Sequence, residues 1–283
     1  MGITSIAMSI DRIVALYAEH DAELEVREID FEVEPSVLLA GLDASYDHLL
    51  VAGGDGTVNY IVNELFREGL DLPLGIIPSG TANDFASAIG MHSNPIEACR
   101  QILQIKPQPT DIGEVNGRYF INVFSFGLFT NVSQHTPTLL KNAIGKAAYV
   151  VGGAIDVVKM HPIPIEIHSD DGDWSGDALI LLAFNGKTAG NFPLAKMAEV
   201  DDGYLDVLVL KAGVLPALTA APAFLHYIFG GGTEIPRDVL HFHCSRISIS
   251  SQGCEPTDVD GQPGPELPVE MVCRAGALRV IRP

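Results

Sequence analysis

Positive charge is scarce in this sequence: 17 lysines and arginines stand against 36 aspartates and glutamates, which gives the 283 residues a formal net charge of −19. A surface that binds DNA or RNA needs a cationic stripe, so the composition argues against nucleic acid as a partner. It also argues against permanent adhesion to anionic membranes, although a local basic patch could still contact one.

Cysteine pairs and long apolar runs are also absent. The four cysteines form no C-x-x-C pair, so we expect neither a zinc ribbon nor a disulfide scaffold, and a reducing cytosol is the simplest setting. The start, Met1–Ile10, lacks a basic stretch followed by an apolar one, which predicts no secretory signal. The longest apolar run, Ala212–Gly232, is interrupted by Pro216 and Pro222 and does not predict a membrane-spanning helix.

What the sequence does contain is an ordinary globular composition, with 47% hydrophobic and 19% charged residues. Its length suits one large domain or two smaller ones. The first third alternates helical and strand-like patterns, which predicts an α/β domain of Rossmann-like, three-layer type with helices on the faces of a parallel sheet. The predicted helices are 6–18, 34–42, 58–66 and 82–89, and the predicted strands are 24–31, 48–52 and 74–77.

The pattern changes near Ile105, after which strand-like runs separated by Gly-, Asp- and Asn-rich turns dominate. These runs predict a C-terminal antiparallel β-sandwich domain. The segment Lys106–Thr110 carries two prolines and is the preferred boundary, so the expected domains are 1–106 and 107–283. The predicted strands are 119–124, 163–168, 178–184, 205–210, 247–250, 269–273 and 278–281, and helices are predicted over 141–159 and 215–227.

The run Gly53-Gly54-Asp55-Gly56-Thr57-Val58-Asn59 lies between a predicted buried strand and an amphipathic helix. Glycines let the backbone turn tightly and approach a ligand, and a helix N-terminus favours phosphate. We expect Thr57 to cap the helix and Asp55 to act with Mg²⁺ among the phosphates. No Gly-Lys-Ser/Thr follows, so this is not a Walker A loop. The alternative is a glycine turn that only caps a helix.

A second run, Pro78-Ser79-Gly80-Thr81-Ala82-Asn83-Asp84-Phe85, repeats the order of strand, glycine turn and helix start. Parallel sheets bind ligands at the carboxyl ends of adjacent strands, so the two loops are expected to lie on one ligand-binding edge. Thr81 could donate its hydroxyl group to a phosphate. Asn83 or Asp84 could cap the following helix, and capping alone is the alternative for these two residues.

The two runs together, GGDGTVN and PSGTANDFA, resemble the diacylglycerol kinase catalytic-domain family, whose soluble bacterial members phosphorylate lipid alcohols. The resemblance covers almost the whole chain. It implies an α/β nucleotide domain followed by a β-sandwich domain. It also implies an ATP site formed by Gly53, Gly54, Asp55, Gly56, Thr57, Val58, Asn59 and Thr81.

The segment 199–206, EVDDGYLD, is similar to the Asp-Gly-x-Leu-Asp segment with which this family holds a structural Mg²⁺. The resemblance implies that the ligands are the Glu199 carbonyl, the Asp202 carboxylate and the Tyr204 carbonyl. A set of oxygen ligands suits a hard cation. An acidic β-turn without metal is the alternative.

The segment 258–262, DVDGQ, resembles the family's Asp-Gly-Glu, in which the aspartate is the proposed general base for the lipid hydroxyl group. The resemblance therefore implies that Asp260 accepts that proton, a role that suits a carboxylate in phosphoryl transfer. Gln262 replaces the glutamate, and an amide cannot carry the missing negative charge. A polar hairpin turn is the alternative.

The N-terminus also departs from the family, whose members open with a strand that ends in an Asn-Pro-x-x-Gly loop near the nucleotide. This chain is expected to begin inside the helix that follows that strand. The threonine expected after the second strand is missing from Arg27–Phe31. The departure predicts weaker ATP binding or an exposed sheet edge.

These features lead to one main hypothesis and two alternatives. The main hypothesis is an ATP- and Mg²⁺-dependent lipid kinase that acts on diacylglycerol or a related lipid. The alternatives are a NAD kinase, which shares the Gly-Gly-Asp-Gly-Thr loop, and a catalytically weakened relative that binds lipid or nucleotide. The implied partners are a lipid substrate and, transiently, the membrane, with a homodimer left open; the implied location is the cytoplasm, peripheral at the membrane.

Overall fold

The computed structural model describes residues 9–29, 35–127, 161–186, 195, 198–212, 227 and 234–283. The predicted helices 141–159 and 215–227 therefore lie outside the described residues, apart from Tyr227. The chain divides into two compact units, Met1–Asp111 with Ala275–Pro283, and Ile112–Arg274. The predicted domains 1–106 and 107–283 differ from this division because 107–111 and 275–283 lie in the first unit.

The first unit is a β-α-β arrangement with further helices, as the alternating pattern predicted. Strands β1 and β2 pair in parallel, from Leu49 opposite Leu74 to Gly53 opposite Pro78. The end of the last strand of the chain joins β2 in parallel, with Val280 opposite Leu74. The elements are α1 (Ile10–Ala18), α2 (Pro35–Leu38), β1 (Leu49–Gly53), α3 (Asp55–Glu68), β2 (Leu74–Pro78), α4 (Asp84–Ala88) and α5 (Pro95–Gln104).

Burial follows the hydrophobic pattern in this unit. Every residue of β2 is buried, as expected for a strand covered on both faces. Helix α3 buries the apolar stripe predicted from its sequence, including Val58, Ile61, Val62 and Leu65. It ends at Gly69, which adopts the left-handed conformation with φ of 65°, a conformation that glycine tolerates best. None of the described helices is long and apolar enough to cross a membrane.

Two local features of the first unit differ from the predictions. The segment 24–29 is not a strand, because it has no hydrogen-bonded neighbour strand among the described residues. Helix α5 was missed, although its start carries a recognisable signal. The side chain of Asn94 accepts hydrogen bonds from the N–H groups of Ile96 and Glu97, and Pro95 occupies the first helical position, which needs no N–H donor.

The second unit is built from antiparallel strands. Strand β7 pairs with β5, β6 and β8 along its length, and β8 pairs in turn with β9. The strands are β3 (Pro107–Val115), β4 (Arg118–Phe120), β5 (Val123–Phe126), β6 (Ile163–Ser169), β7 (Gly172–Phe184), β8 (Leu205–Lys211), β9 (Val239–Cys244), β10 (Arg246–Ser251), β11 (Thr257–Val259), β12 (Gln262–Pro263) and β13 (Val269–Ile281); β3 and β13 have residues in both units.

Two hydrophobic clusters lie on opposite faces of β7 and β8, because successive side chains of a strand point to opposite faces. Leu181 and Val207 belong to one cluster, whereas Leu182 and Leu208 belong to the other. All residues from Ala178 to Phe184 are consequently buried. Burial of both faces agrees with the predicted sandwich, and the α/β class with an antiparallel C-terminal part is confirmed.

Candidate active site

The two glycine loops, which follow β1 and β2, contact each other through backbone atoms. The N–H group of Ser79 donates to the carbonyl oxygen of Gly53 at 3.1 Å. A Cβ atom on Gly54 would lie 3.0 Å from the Cα atom of Gly80, and a Cβ atom on Gly80 would overlap the Cα atom of Gly54. Glycine is needed at both positions because the loops could not approach so closely with side chains between them. The expected neighbourhood of the two loops is confirmed.

The carboxylate of Asp55 links the first loop to the helix that follows the second. It accepts hydrogen bonds from the N–H groups of Asp84, at 3.1 Å, and Phe85, at 2.9 Å. These are the first two residues of α4, so Asp55 supplies the cap that the start of this helix needs. Asp55 itself is the first residue of α3, where a negative charge is also favourable.

The prediction that Thr57 caps α3 is wrong, and the side chain of Asn83 does not cap α4. Helix α3 begins after Gly54, which is its N-cap, and Thr57 is the third helical residue. Asn83 holds the N-cap position of α4 with φ of 54°, but its side chain makes no capping bond to that helix. Instead its Oδ1 atom accepts from the N–H group of Gly80 at 2.8 Å, and its Nδ2 atom donates to the Gly80 carbonyl at 3.0 Å, which closes the second loop.

Gly56 differs from the other loop glycines. A Cβ atom at this position would have no neighbour within 4 Å, whereas a Cβ atom on Gly53 would collide with the side chain of Thr57. Packing inside the protein therefore explains Gly53, Gly54 and Gly80 but not Gly56. Gly56 is the second residue of α3, so its N–H group has no carbonyl acceptor within the helix. The combination suits close approach by an anionic ligand.

The remaining residues predicted to bind ATP differ in exposure. Val58 is 2% exposed and belongs to the core, and Asn59 is 7% exposed. Asn59 receives hydrogen bonds from the Nδ2 atom of Asn63 at its carbonyl and its Oδ1 atom. Thr81 is exposed at the surface of the second loop. Thr81 is thus the more accessible side chain, and a role for Val58 is limited to supporting the helix from inside.

The second unit holds Asp260 in a cradle of backbone amides. Its Oδ2 atom accepts from the N–H group of Ile121 at 2.7 Å, and its Oδ1 atom accepts from Asn122 at 2.9 Å and from Val123 at 2.8 Å. The N–H group of Asp260 donates to the Val123 carbonyl at 2.9 Å. Three N–H donors are the partners that an ionised carboxylate needs. These amides carry no sequence signal, because every residue except proline has one.

Asp260 lies in the hairpin turn that the sequence suggested as an alternative. Asp260 and Gly261 connect β11 to β12 and both have positive φ, 50° and 83°, as two-residue hairpin turns require. The Oδ1 atom of Asp258 accepts from the N–H group of Gly261 at 2.7 Å and so fixes the turn. Gln262 is exposed in β12. The turn presents the Asp260 side chain to the amide cradle, and the role of Asp260 as proton acceptor stays a prediction.

The proposed metal ligands lie in the turn before β8. The Oδ1 atom of Asp202 accepts from the N–H group of Tyr204 at 3.0 Å. The ring of Tyr204 stacks on His243, whose Nδ1 atom lies 3.6 Å from the carboxylate of the buried Asp206. The described residues contain no group of three or more His, Cys, Asp or Glu side chains that could hold a metal. The ligand set expected from the sequence has only one acidic side chain, that of Asp202, together with the backbone carbonyls of Glu199 and Tyr204. All three ligand atoms are oxygens, which suit Mg²⁺.

Comparison with known proteins identifies both parts of the chain. Residues 2–115 match the family model of the diacylglycerol kinase catalytic domain. Residues 122–282 match the model of the YegS C-terminal NAD kinase beta sandwich-like domain. The two models meet between residues 115 and 122, after the change of pattern that the sequence shows near Ile105.

Individual relatives align with most of the chain. A diacylglycerol kinase of Staphylococcus epidermidis is 32% identical over 92% of this chain and 80% of its own length. A probable lipid kinase of YegS-like type from Pseudomonas savastanoi pv. phaseolicola is 33% identical over 92% and 84%. A crystal structure from Bacillus anthracis strain Sterne, assigned to the diacylglycerol kinases, superposes with a TM-score of 0.82 at 26% identity, over 96% and 90%. The chain therefore belongs to the diacylglycerol kinase family of lipid kinases.

Proposed function

We propose that this chain transfers the γ-phosphoryl group of ATP to the hydroxyl group of a membrane lipid, diacylglycerol or a lipid related to it. A bond forms between the lipid oxygen and the γ-phosphorus, while the bond from that phosphorus to the bridging oxygen breaks and ADP leaves. The hydroxyl proton passes to a carboxylate. The names of the relatives, diacylglycerol kinase and lipid kinase, support this substrate class.

The main support for the proposed nucleotide site is the open space around Gly56 at the start of α3. Packing requires glycine at Gly54 and Gly80, but nothing in the described protein lies near a Cβ atom on Gly56. A bare helix N-terminus concentrates N–H donors and the positive end of the helix dipole where phosphate oxygens would lie. We assign the ATP phosphates to this end of α3, with the exposed Thr81 as a further hydroxyl donor.

Asp260 is the carboxylate to which we assign the proton. The amides of 121–123 hold both of its oxygens, so the side chain is oriented before the substrate arrives. A carboxylate in a fixed orientation can accept a proton from the attacking hydroxyl group without rearranging in the transition state. The Asp55 carboxylate has a different task in this proposal, since its oxygens cap α4 and join the two loops.

We propose that Mg²⁺ is held by the Glu199 carbonyl, the Asp202 carboxylate and the Tyr204 carbonyl. The turn already engages Asp202 through the Tyr204 N–H group, which fixes the carboxylate relative to the backbone. When bound, Mg²⁺ supplies positive charge that offsets the acidity of this turn. The side chain of Asp202 is 25% exposed, so solvent can reach it.

The test measures phosphate transfer from [γ-³²P]ATP with Mg²⁺ to diacylglycerol in mixed micelles, using the purified full chain. We expect labelled phosphatidate from the wild type and its loss, by at least about a hundredfold, in Asp260→Asn. The matched control is Asp173→Asn, which changes a carboxylate of the same unit whose side chain is 70% exposed and should retain activity. Circular dichroism of each variant shows that it is folded.

Two other results would contradict the proposal. Phosphorylation of NAD in place of lipid would support the NAD kinase hypothesis, which the description of the C-terminal family model keeps relevant. No transfer to a panel of lipid alcohols or to NAD by folded wild type would support a binding relative without turnover. The exposed Gln262, where the family has glutamate, is the residue that favours this second outcome.

The proposed substrate also indicates where the reaction occurs. Diacylglycerol lies within the bilayer, so the chain has to visit the membrane surface to reach the hydroxyl group. We propose that it does so peripherally and transiently from the cytoplasm. Homodimer formation stays a prediction.

A further inference from the structure

Asn185 contacts the two peptide units that hold the Asp260 carboxylate. It is 0% exposed and directly follows β7. Its Nδ2 atom donates to the carbonyl oxygen of Ile121 at 3.2 Å, and its backbone N–H group donates to the carbonyl oxygen of Asn122 at 2.9 Å. Residues 121 and 122 lie between β4 and β5, outside both strands.

Each of these two peptide units has its carbonyl group bound to Asn185 and its N–H group bound to Asp260. A peptide unit is planar and trans, so its C=O and N–H groups point in opposite directions. The carbonyl of Ile121 and the N–H group of Asn122 belong to one unit, and the carbonyl of Asn122 and the N–H group of Val123 belong to the next. Asn185 therefore binds the carbonyl side of both units whose N–H groups donate to the Oδ1 atom of Asp260.

Such a chain of hydrogen bonds does two things for Asp260. It fixes the plane of each peptide, so that the N–H groups keep their direction without support from a strand ladder at 121–122. It also polarises each peptide unit, because a carbonyl that accepts a hydrogen bond makes the N–H group of the same unit a stronger donor. At the peptide unit between residues 121 and 122, both effects depend on the side chain of Asn185. At the unit between residues 122 and 123, they depend on its backbone N–H group.

We propose that Asn185 is a positioning residue, which acts on the lipid hydroxyl only through Asp260 by fixing the amides that hold its carboxylate. The proposal rests on the proposed function, in which Asp260 is the proton acceptor. The ordinary role of a buried asparagine is to satisfy its own polar atoms. The distinguishing feature here is that the side-chain amide and the backbone N–H group of one residue donate to the two carbonyls of the cradle.

The test replaces the side chain while keeping its shape. Asn185→Leu removes the Nδ2 donor and retains the backbone donor, and Asn185→Asp serves as a second variant that also lacks the donor. Ser125→Ala is the matched control: Ser125 is 1% exposed on β5, and its Oγ atom makes no hydrogen bond within the described part of the chain. The control removes a buried polar group of the same sheet without touching the cradle.

We expect Asn185→Leu to lower kcat by about tenfold to a hundredfold, as expected for a misplaced catalytic group, with KM for ATP within about twofold. In the Asp260→Asn background the same change should have no further effect, because the two residues act in series. Ser125→Ala should leave both constants within about twofold. Equal losses of kcat in the two backgrounds would overturn the proposal, since they indicate a role independent of Asp260.

A second measurement does not need activity. Amide hydrogen exchange followed by NMR should be faster by about tenfold at Asn122 in both Asn185 variants, and unchanged there in Ser125→Ala. If the wild type transfers no phosphate but this exchange pattern is found, the proposed function fails, whereas the inference that Asn185 fixes the amides around Asp260 stands. Unchanged exchange at Asn122 in folded Asn185→Leu would overturn the positioning role, whatever the activity.

Discussion

Gly80 has no room for a side chain because its Cα atom faces the Cα atom of Gly54 across the two loops. The contact joins the carboxyl ends of β1 and β2 without any side chain between them. The fold therefore requires glycine at positions 54 and 80. Gly56 differs, because no atom of the described residues lies within 4 Å of a Cβ atom placed there.

This difference gives a pair of matched variants. We expect Gly80→Ala to lower the free energy of unfolding by about 1–3 kcal/mol, because the new methyl group must push two backbones apart. Gly56→Ala adds the same methyl group into open space within a helix, where alanine is favoured by about 1 kcal/mol. It should therefore keep or raise stability and weaken ATP binding. Urea denaturation and ATP titration of both variants check this, and equal stability losses would contradict it.

Asp55 should matter for stability through the start of α4. In Asp55→Asn the amide can accept at only one atom and carries no charge, so we expect a loss of about 1–2 kcal/mol in the free energy of unfolding. Asp71→Asn is the control, since this carboxylate is 82% exposed in its pair with Arg279 and exposed pairs contribute about 0–1 kcal/mol. Denaturation of the two variants followed by circular dichroism should separate them. Similar losses would argue against the cap.

The partly buried contact between Tyr17 and His48 predicts how stability depends on pH. The Tyr17 hydroxyl group lies 3.1 Å from the Nε2 atom of His48. Burial lowers the pKa of His48 below its ordinary value, against a smaller opposing effect of Asp47. Between that lowered pKa and the ordinary value of about 6.5, the unfolded chain binds a proton that the folded chain does not. Stability due to His48 is therefore complete above this range and is lost as the pH falls through it.

His48→Gln tests this, because glutamine can keep a hydrogen bond to Tyr17 and does not titrate. Relative to this variant, the wild type should lose stability as the pH falls below about 7, with a slope of at most about 1.4 kcal/mol per pH unit for one proton. His168→Gln is the control, since His168 has 64% of its side chain exposed. Parallel stability curves for wild type and His48→Gln would show that His48 does not contribute.

Magnesium should stabilise the protein through Asp202. At a Mg²⁺ concentration of about 100 times Kd, bound metal raises the free energy of unfolding by about 2.7 kcal/mol. We expect this increase in the wild type and in Asp201→Asn, and its absence in Asp202→Asn. Asp201 is the neighbouring carboxylate of the same turn, so it controls for the loss of one negative charge. Thermal melting with and without Mg²⁺ measures the effect, and an equal response of both variants would contradict the assignment.

Local patterns were enough to predict much of the fold and the positions of the candidate loops. The alternation of apolar residues predicted α3, β1 and β2 close to their observed bounds, because burial of one face sets the period of each element. The glycine runs predicted that the loops after β1 and β2 lie side by side, since few other residues allow such close approach. The segment 24–29 shows the limit: its alternating pattern does not make a strand, and no strand pairs with it in the part of the chain that the structure describes.

By itself, the sequence determined the α/β order, the two glycine loops, and the Asp-Gly turn that carries Asp260, because each depends on residues that are close along the chain. Only the tertiary structure decided what those residues contact. Asp55 caps a helix that begins 29 residues later, and Asp260 is held by amides more than 130 residues before it. Hydrogen bonds to backbone amides are available from almost any residue, so the folded chain, and not the pattern of side chains, selects the partners.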